Sequence, residues 1–379
     1  MNRHSTLGAR IHSRSMRHCG FVYVLFVAAQ YLKSGYQLQP NFDVAVATLA
    51  RDPFQSFESL PAGAHYVTTS WLMPFILHTI RIESEAMMVA AHWAVALMYL
   101  TVCYLLVRRI ADCSVRLTAV VILGASPIIP ASFNWLGYDT VTLLLIATIA
   151  YFARHRVAVF AIALLLGMQH FEIGTTAAVA WILVSRSLPE SNLMRRISFH
   201  TSMVLGLLVG RLILILVFAA NGASMEGSRI DTARELVGRA TAGFLSAPFS
   251  LLWSIFGVGW FVIALGASKG VLNLRSAIAG LVTLVAISGM TLDASRVGIV
   301  SSSLVVLGGI ALNPELLTKI DRRFLGWLVV AFLIVPRVWI WDGNHTGPCT
   351  PENMGQVFAW LLRRIGFLAQ DCRLYWVGR

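Results

Sequence analysis

Residues 167–174 read GMQHFEIG, and His170 and Glu172 are the only ionisable side chains between positions 157 and 185. The flanks, VAVFAIALLL and TTAAVAWILV, are apolar enough to sit in lipid. As one helix the run is too long to cross a hydrocarbon core about 30 Å thick at about 1.5 Å of rise per residue. As two helices each half is short, and GMQHFEIG becomes the turn of a helical hairpin. The two readings put every later segment on opposite sides of a membrane, so charge elsewhere in the chain decides between them.

The chain of 379 residues is 57% hydrophobic and 13% charged, with a mean hydropathy of +0.71; a soluble domain carries about 25% charged residues. Apolar runs recur along its whole length and are continuous rather than alternating. That pattern predicts an all-α, polytopic membrane helix bundle and fits a β-barrel poorly. Spans are expected at about 18–35, 86–107, 117–132, 139–153, 156–170, 172–186, 198–220, 247–267, 275–290, 297–313 and 324–341, eleven in all. Residues 67–80 (VTTSWLMPFILHTI) are too short to span and contain Pro74, so they read as re-entrant or interfacial. The transmembrane domain covers 1–341, with a long first outer loop at about 36–85, and a tail occupies 342–379. The basic N-terminus has no convincing small-residue cleavage site after it and reads as the cytoplasmic start of an uncleaved first span.

The positive-inside rule then arbitrates. With two helices in 157–185, the inside segments hold Arg3, Arg10, Arg14, Arg17, Arg108, Arg109, Arg116, Arg154, Arg156, Arg186, Arg195, Arg196, Lys269, Arg275, Lys319, Arg322 and Arg323, seventeen cations. The outside segments before the last span hold seven: Lys33, Arg51, Arg81, Arg229, Arg234, Arg239 and Arg296. A single helix would move the eight cations of 186–196, 269–275 and 319–323 outside. The hairpin reading wins, with GMQHFEIG as an outer turn. The net charge of +12 then serves topology and anionic membrane lipids, and no nucleic-acid partner is expected.

Most polar groups near apolar runs fall on the outer side. The first outer loop carries Asp43, Asp52, Glu58 and His65, and the 132–139 turn, SFNWLGYD, offers Asn134, Trp135, Tyr138 and Asp139. QHFE follows, and TLDASRV brings Asp293 and Arg296. No Walker loop and no GxGxxG is present, which disfavours a nucleotide-driven transporter. Each feature also has a plain reading. Asp139 before Thr140 suits a helix cap, and His170 with Glu172 suits a solvated loop pair. Against that, carboxylates this close to hydrocarbon are costly unless they face a polar cavity or a partner. His170, Glu172 and a nearby Asp are also candidate ligands for a divalent metal, without recognised spacing. Arg on the outer side suits an anionic substrate, while the Asp and Glu of 226–239 are helical-spacing partners for Arg229, Arg234 and Arg239. In the tail, Cys349 and Cys372 flank an amphipathic stretch at about 352–368, and an outside location permits a disulfide between them.

Asp43 in QPNFDVAV, Asp52 in ARDPF and the HYVTTSWLMP segment entering the membrane resemble the integral-membrane glycosyltransferases of the GT-C superfamily. The resemblance covers roughly residues 18–110 by pattern and the rest by span count and sidedness; a paired Asp-Asp or Asp-Glu and a terminal soluble domain are missing. It implies a sugar moved from a polyprenyl-phosphate donor to a cell-envelope glycan or lipid acceptor on the outer face of a bacterial inner membrane, with inversion and without a soluble cofactor. It makes Asp43 the first choice of general base and Asp52 the second. Arg296 or Arg81 would stabilise the leaving lipid phosphate, Trp135 and Tyr138 would cover a sugar face, and Asp139, His170 and Glu172 would bind hydroxyls. Asp293 lies beside Arg296 in the same turn. Two alternatives stay open: an O-antigen or exopolysaccharide polymerase or ligase, dependent on Arg229, Arg234 and Arg239, and a transporter or flippase, for which Arg211 is the clear mid-span ionisable group.

Overall fold

The computed structural model describes residues 3–34, 43–54, 70–134, 136–186, 193–223, 248–270, 273–289, 293–335, 339–341 and 344–346, with a few single positions at 237–245 and 291. The described chain is helical apart from one short hairpin. Its elements are α1 (Arg3–Ser34), a π-helical turn (Asp43–Thr48) running into α2 (Leu49–Arg51), α3 (Leu72–Thr79), α4 (Glu85–Arg108), α5 (Cys113–Ala125), α6 (Ile128–Asn134) and α7 (Tyr138–Tyr151). Then come α8 (Arg156–Ser185), α9 (Leu193–Ala220), α10 (Pro248–Phe256), α11 (Gly259–Ser268), α12 (Leu274–Gly289), α13 (Ala294–Leu312), a 3₁₀ turn (Pro314–Lys319) and α14 (Arg322–Ile334). Strands β1 (Trp339–Trp341) and β2 (Asn344–Thr346) pair antiparallel.

Among the described residues four helices are long and apolar enough to cross a membrane, namely Glu85–Arg108, Arg156–Ser185, Ile197–Ala220 and Ala294–Leu312. A fifth is gained if α5 and α6, bent by 43° at Ser126–Pro127, form one broken span. The expectation of about eleven transmembrane helices is therefore not supported. The apolar runs exist, but several form helices too short for a core of about 30 Å: α7 has 14 residues, α12 has 16 and α14 has 13. The outward faces are apolar, with Leu97, Leu208, Leu212, Val282 and Trp327 all exposed, as lipid contact requires.

The chain reverses at GMQHFEIG. Inside α8, His170 leaves helical geometry with φ −161° and ψ 78°. In a straight helix Leu166 and Gly174 would stand about 12 Å apart; here a Cβ on Gly174 would lie 3.1 Å from the Leu166 side chain. Both far ends of α8 return to the C-terminal end of α13: Ala153–His155 share a cavity with Leu312 and Pro314, and Val184 shares another with Asn313. The apex meets the opposite end of α13, through the Tyr138 ring and its hydroxyl's bond to Arg296. Α8 thus counts as a long helix only by its total length, and its limbs run beside one another.

Small residues permit this fold. Gly206 and Gly210, spaced as GxxxG, let α9 lie against the carbonyls of Phe160 and Leu164, and Gly167 returns the contact at Leu207. On α13, Ser302 and Ser303 donate back to the carbonyls of Ile299 and Val300 at 2.9 and 2.6 Å, so their hydroxyls need no outside partner. That helix is 61% buried along its apolar window, against 33–44% for the other three long ones. It is the central post, and whatever its N-terminus carries is held rigidly.

Candidate functional site

The N-termini of α7 and α13 and the apex of α8 meet at one end of the bundle. Α7 begins after Gly137, whose N–H donates to Thr140 Oγ at 3.3 Å, while that hydroxyl donates to Ser132 O at 3.0 Å. Thr140 thus stabilises the helix start. Asp139, read from the sequence as a cap, instead turns inward. Its Oδ2 lies 3.2 Å from Arg296 Nη1, and the same nitrogen donates to Tyr138 Oη at 2.8 Å. Asp293 occupies the N-cap position of α13 without capping it; its carboxylate pairs with Arg296 Nε one turn on. Asp139 and Asp293 are buried, and Arg296 is 12% exposed.

Two carboxylates on one guanidinium leave the cluster formally one charge negative. The geometry makes Arg296 a clamp that orients Asp139, Asp293 and Tyr138, whereas the sequence reading gave it, or Arg81, to a lipid phosphate. The carboxylates keep lone pairs able to accept from neutral donors such as hydroxyl groups.

His170 and Glu172 stand beside this cluster. Nδ1 of His170 is 3.6 Å from Glu172 Oε2, and its ring centroid is 6.3 Å from that of Tyr138. His170 is buried and Glu172 is half-buried, so the pair is not the solvated loop pair of the plain reading. Gln169 was passed over in the sequence, yet it ties three elements together. Its Nε2 donates to Tyr138 O at 3.2 Å, and its Oε1 accepts from Met73 N at 3.3 Å. Its polar amide inside the expected turn, next to His170, was the signal available for it.

Α3 and the 43–51 turn roof the cluster. His78 Nδ1 bonds Ala50 O at 2.9 Å, and Val46, Leu49 and Ala50 share a core with Met88, Tyr138 and Val141. The turn bearing Asp43 is thereby brought to this end; only the backbone of Asp43 is described. Asp52 is exposed and accepts from Phe54 N at 3.2 Å. Arg81 is exposed, with φ 56°, and its N–H bonds His78 O at 3.0 Å. It serves as the left-handed residue that ends α3 and is not drawn into the Arg296 cluster. Asn134 is fully buried, and neither of its amide atoms has a hydrogen-bond partner among the described residues. Arg211 stands 5.7 Å from the Phe171 ring and pairs with neither Asp139 nor Glu172. Trp135, Arg229, Arg234, Arg239, residues 36–42 and 55–69 of the first outer loop, with Glu58 and His65, and the tail with Cys349 and Cys372 lie outside the described residues.

Among the described residues no group of three or more His, Cys, Asp or Glu is placed to hold a metal ion. No family model, no curated protein and no solved structure matches this chain.

Proposed function

We propose that the protein is an integral-membrane glycosyltransferase that moves a sugar from a polyprenyl-phosphate donor to a glycan or lipid acceptor. One observation carries the reading: Tyr138, Asp139, Asp293 and Arg296 form an enclosed cluster beneath the Asp43–Arg51 turn, at a bundle end that also holds His170 and Glu172. In this reading Asp43 removes the proton of the acceptor hydroxyl, with Asp52 as the second candidate. Asp139 and Asp293 accept hydroxyl hydrogen bonds from a sugar, and Tyr138, with Trp135 near it in sequence, covers its face. Arg81, exposed at the same end, meets the lipid phosphate. Proton removal on one face and departure of the phosphate from the other invert the anomeric centre.

The orientation proposed with it places this end outside a bacterial inner membrane and the N-terminus in the cytoplasm. It is supported by the segregation of charge, because Arg108, Arg109, Arg154, Arg156, Lys269 and Lys319 gather at the other end. We read the shorter helices as crossing beside the long ones, since α7 and both limbs of α8 run between those same two ends. A transporter is the second reading, favoured by the enclosure of the charged cluster. Replacing Asp43, Asp52, Asp139 and Arg296 singly by Ala, with protein levels checked, tests the proposal. Loss of surface glycan with lipid-linked sugar accumulating supports transfer; full glycan in both the Asp43 and Asp52 variants removes the proposed base.

A further inference from the structure

Two adjoining cavities open at the bundle end opposite the acidic cluster. The larger, about 650 Å³, lies among the C-terminal ends of α4, α7 and α13 and the start of α5. The smaller, about 370 Å³, lies between the turn before α8 and the N-terminal part of α9. Ala153, Arg154 and His155 border both. Arg109 enters the larger cavity and Arg156 the smaller.

The cations are set for a ligand. The Arg109 guanidinium carbon lies over the Tyr151 ring, 3.4 Å from its centroid, and the guanidinium donates to Tyr151 O, which holds its orientation. Arg154, His155 and Arg156 are exposed. Among the described residues Arg109, Arg154 and Arg156 form no ion pair. The one carboxylate at the larger cavity, Asp112, is engaged as the N-cap of α5, accepting from Val115 N at 2.9 Å. Beside the cations the wall is apolar, made by Leu106, Ile110, Val115 and Ile310. A basic mouth against an apolar wall, at the end of helices whose outer faces are apolar, matches a phosphate headgroup and the start of its acyl chains.

We propose that this double cavity is a binding site for an anionic phospholipid, the phosphate held by Arg109, Arg154 and Arg156 and the acyl chains lying on the apolar wall. It is separate from the acidic cluster and does not depend on the glycosyltransferase reading. Each cation near a charged surface contributes about 1 kcal/mol, or roughly fivefold in affinity. The full chain, solubilised in a neutral detergent, is titrated with phosphatidylglycerol, with phosphatidylcholine and with inorganic phosphate, and retained ligand is read by native mass spectrometry. Phosphatidylglycerol is expected to be retained over phosphatidylcholine, with affinity falling about 25-fold in the Arg154→Gln/Arg156→Gln variant. Those residues are exposed, so the variant should match the parent in size-exclusion profile. The Arg322→Gln/Arg323→Gln variant, at cations that line neither cavity, should bind as the parent does. Displacement of the lipid by inorganic phosphate alone would place recognition in the phosphate, whereas displacement only by anionic lipid would place it in headgroup and chains together. Equal retention of the two lipids, or undiminished binding in the Arg154→Gln/Arg156→Gln variant, would overturn the site.

Discussion

Replacing Arg296 by Met keeps much of the side chain's length and removes its charge. In the parent, Asp139 and Asp293 are buried and share that guanidinium, with Tyr138 Oη accepting from it at 2.8 Å. The variant removes from two buried carboxylates the guanidinium they share. Removing one partner of a buried pair costs about 3–5 kcal/mol. The lost charge-assisted bond to Tyr138 is worth roughly 1.5–3 kcal/mol more in isolation, but contributions within one network do not add. The expected loss is therefore at least about 3 kcal/mol. Unfolding in mixed micelles, followed by tryptophan fluorescence, measures it. The companion variant Arg296→Met/Asp139→Asn/Asp293→Asn has no buried charge left in the cluster and should recover most of that loss, since replacing a whole ion cluster is often near neutral. Arg296→Lys should fall between, because one ammonium cannot reproduce the guanidinium's fork. A loss below about 1 kcal/mol in Arg296→Met, or a triple variant as unstable as the single one, would refute the clamp.

Three further outcomes follow from the fold. Gly210→Val drives a side chain into the Leu164 carbonyl and should cost about 1–3 kcal/mol or more, whereas Gly309→Ala, with nothing within 4 Å of its Cβ, should gain up to about 1 kcal/mol; equal effects would contradict the α8–α9 interlock. Arg81→Gly relieves a left-handed φ of 56° and should stabilise by roughly 1 kcal/mol, measured in the same unfolding assay; no gain would contradict the strain at that position. With Cys349 and Cys372 replaced by Ser, a membrane-impermeant thiol reagent should label a Glu172→Cys variant in intact cells and spare the exposed Cys113 until the membrane is opened. Labelling in the reverse order would invert the orientation.

The reversal at GMQHFEIG was legible because it rests on length and charge, two quantities a sequence states outright. The run is too long for one crossing, and the positive-inside rule favours a turn there because it places more Arg and Lys on one side. The gathering of Asp139, His170, Asp293 and Arg296 was legible for the same reason: alternating segments return to the same end. Their roles were not legible. Asp139 read as a cap because Asp before Thr is good cap chemistry, yet the hydroxyl of Thr140 stabilises the helix start and Arg296 takes the carboxylate. Arg296 read as a phosphate ligand because charge sidedness made it anomalous; its two carboxylates lie more than 150 residues and one helical turn away, and only tertiary contact reveals that both reach it. Span number was overestimated because hydropathy reports how apolar a run is, not where the helix within it stops, as the 14-residue α7 illustrates.

The sugar transfer proposed for the acidic end would register in the cellular pool of lipid-linked sugars. Mass spectrometry of that pool would compare cells carrying the parent, the Asp139→Asn variant at equal protein level, and no copy of the protein. One polyprenyl-phosphate sugar should accumulate in the Asp139→Asn cells as it does in cells without the protein. A pool unchanged in both would contradict it.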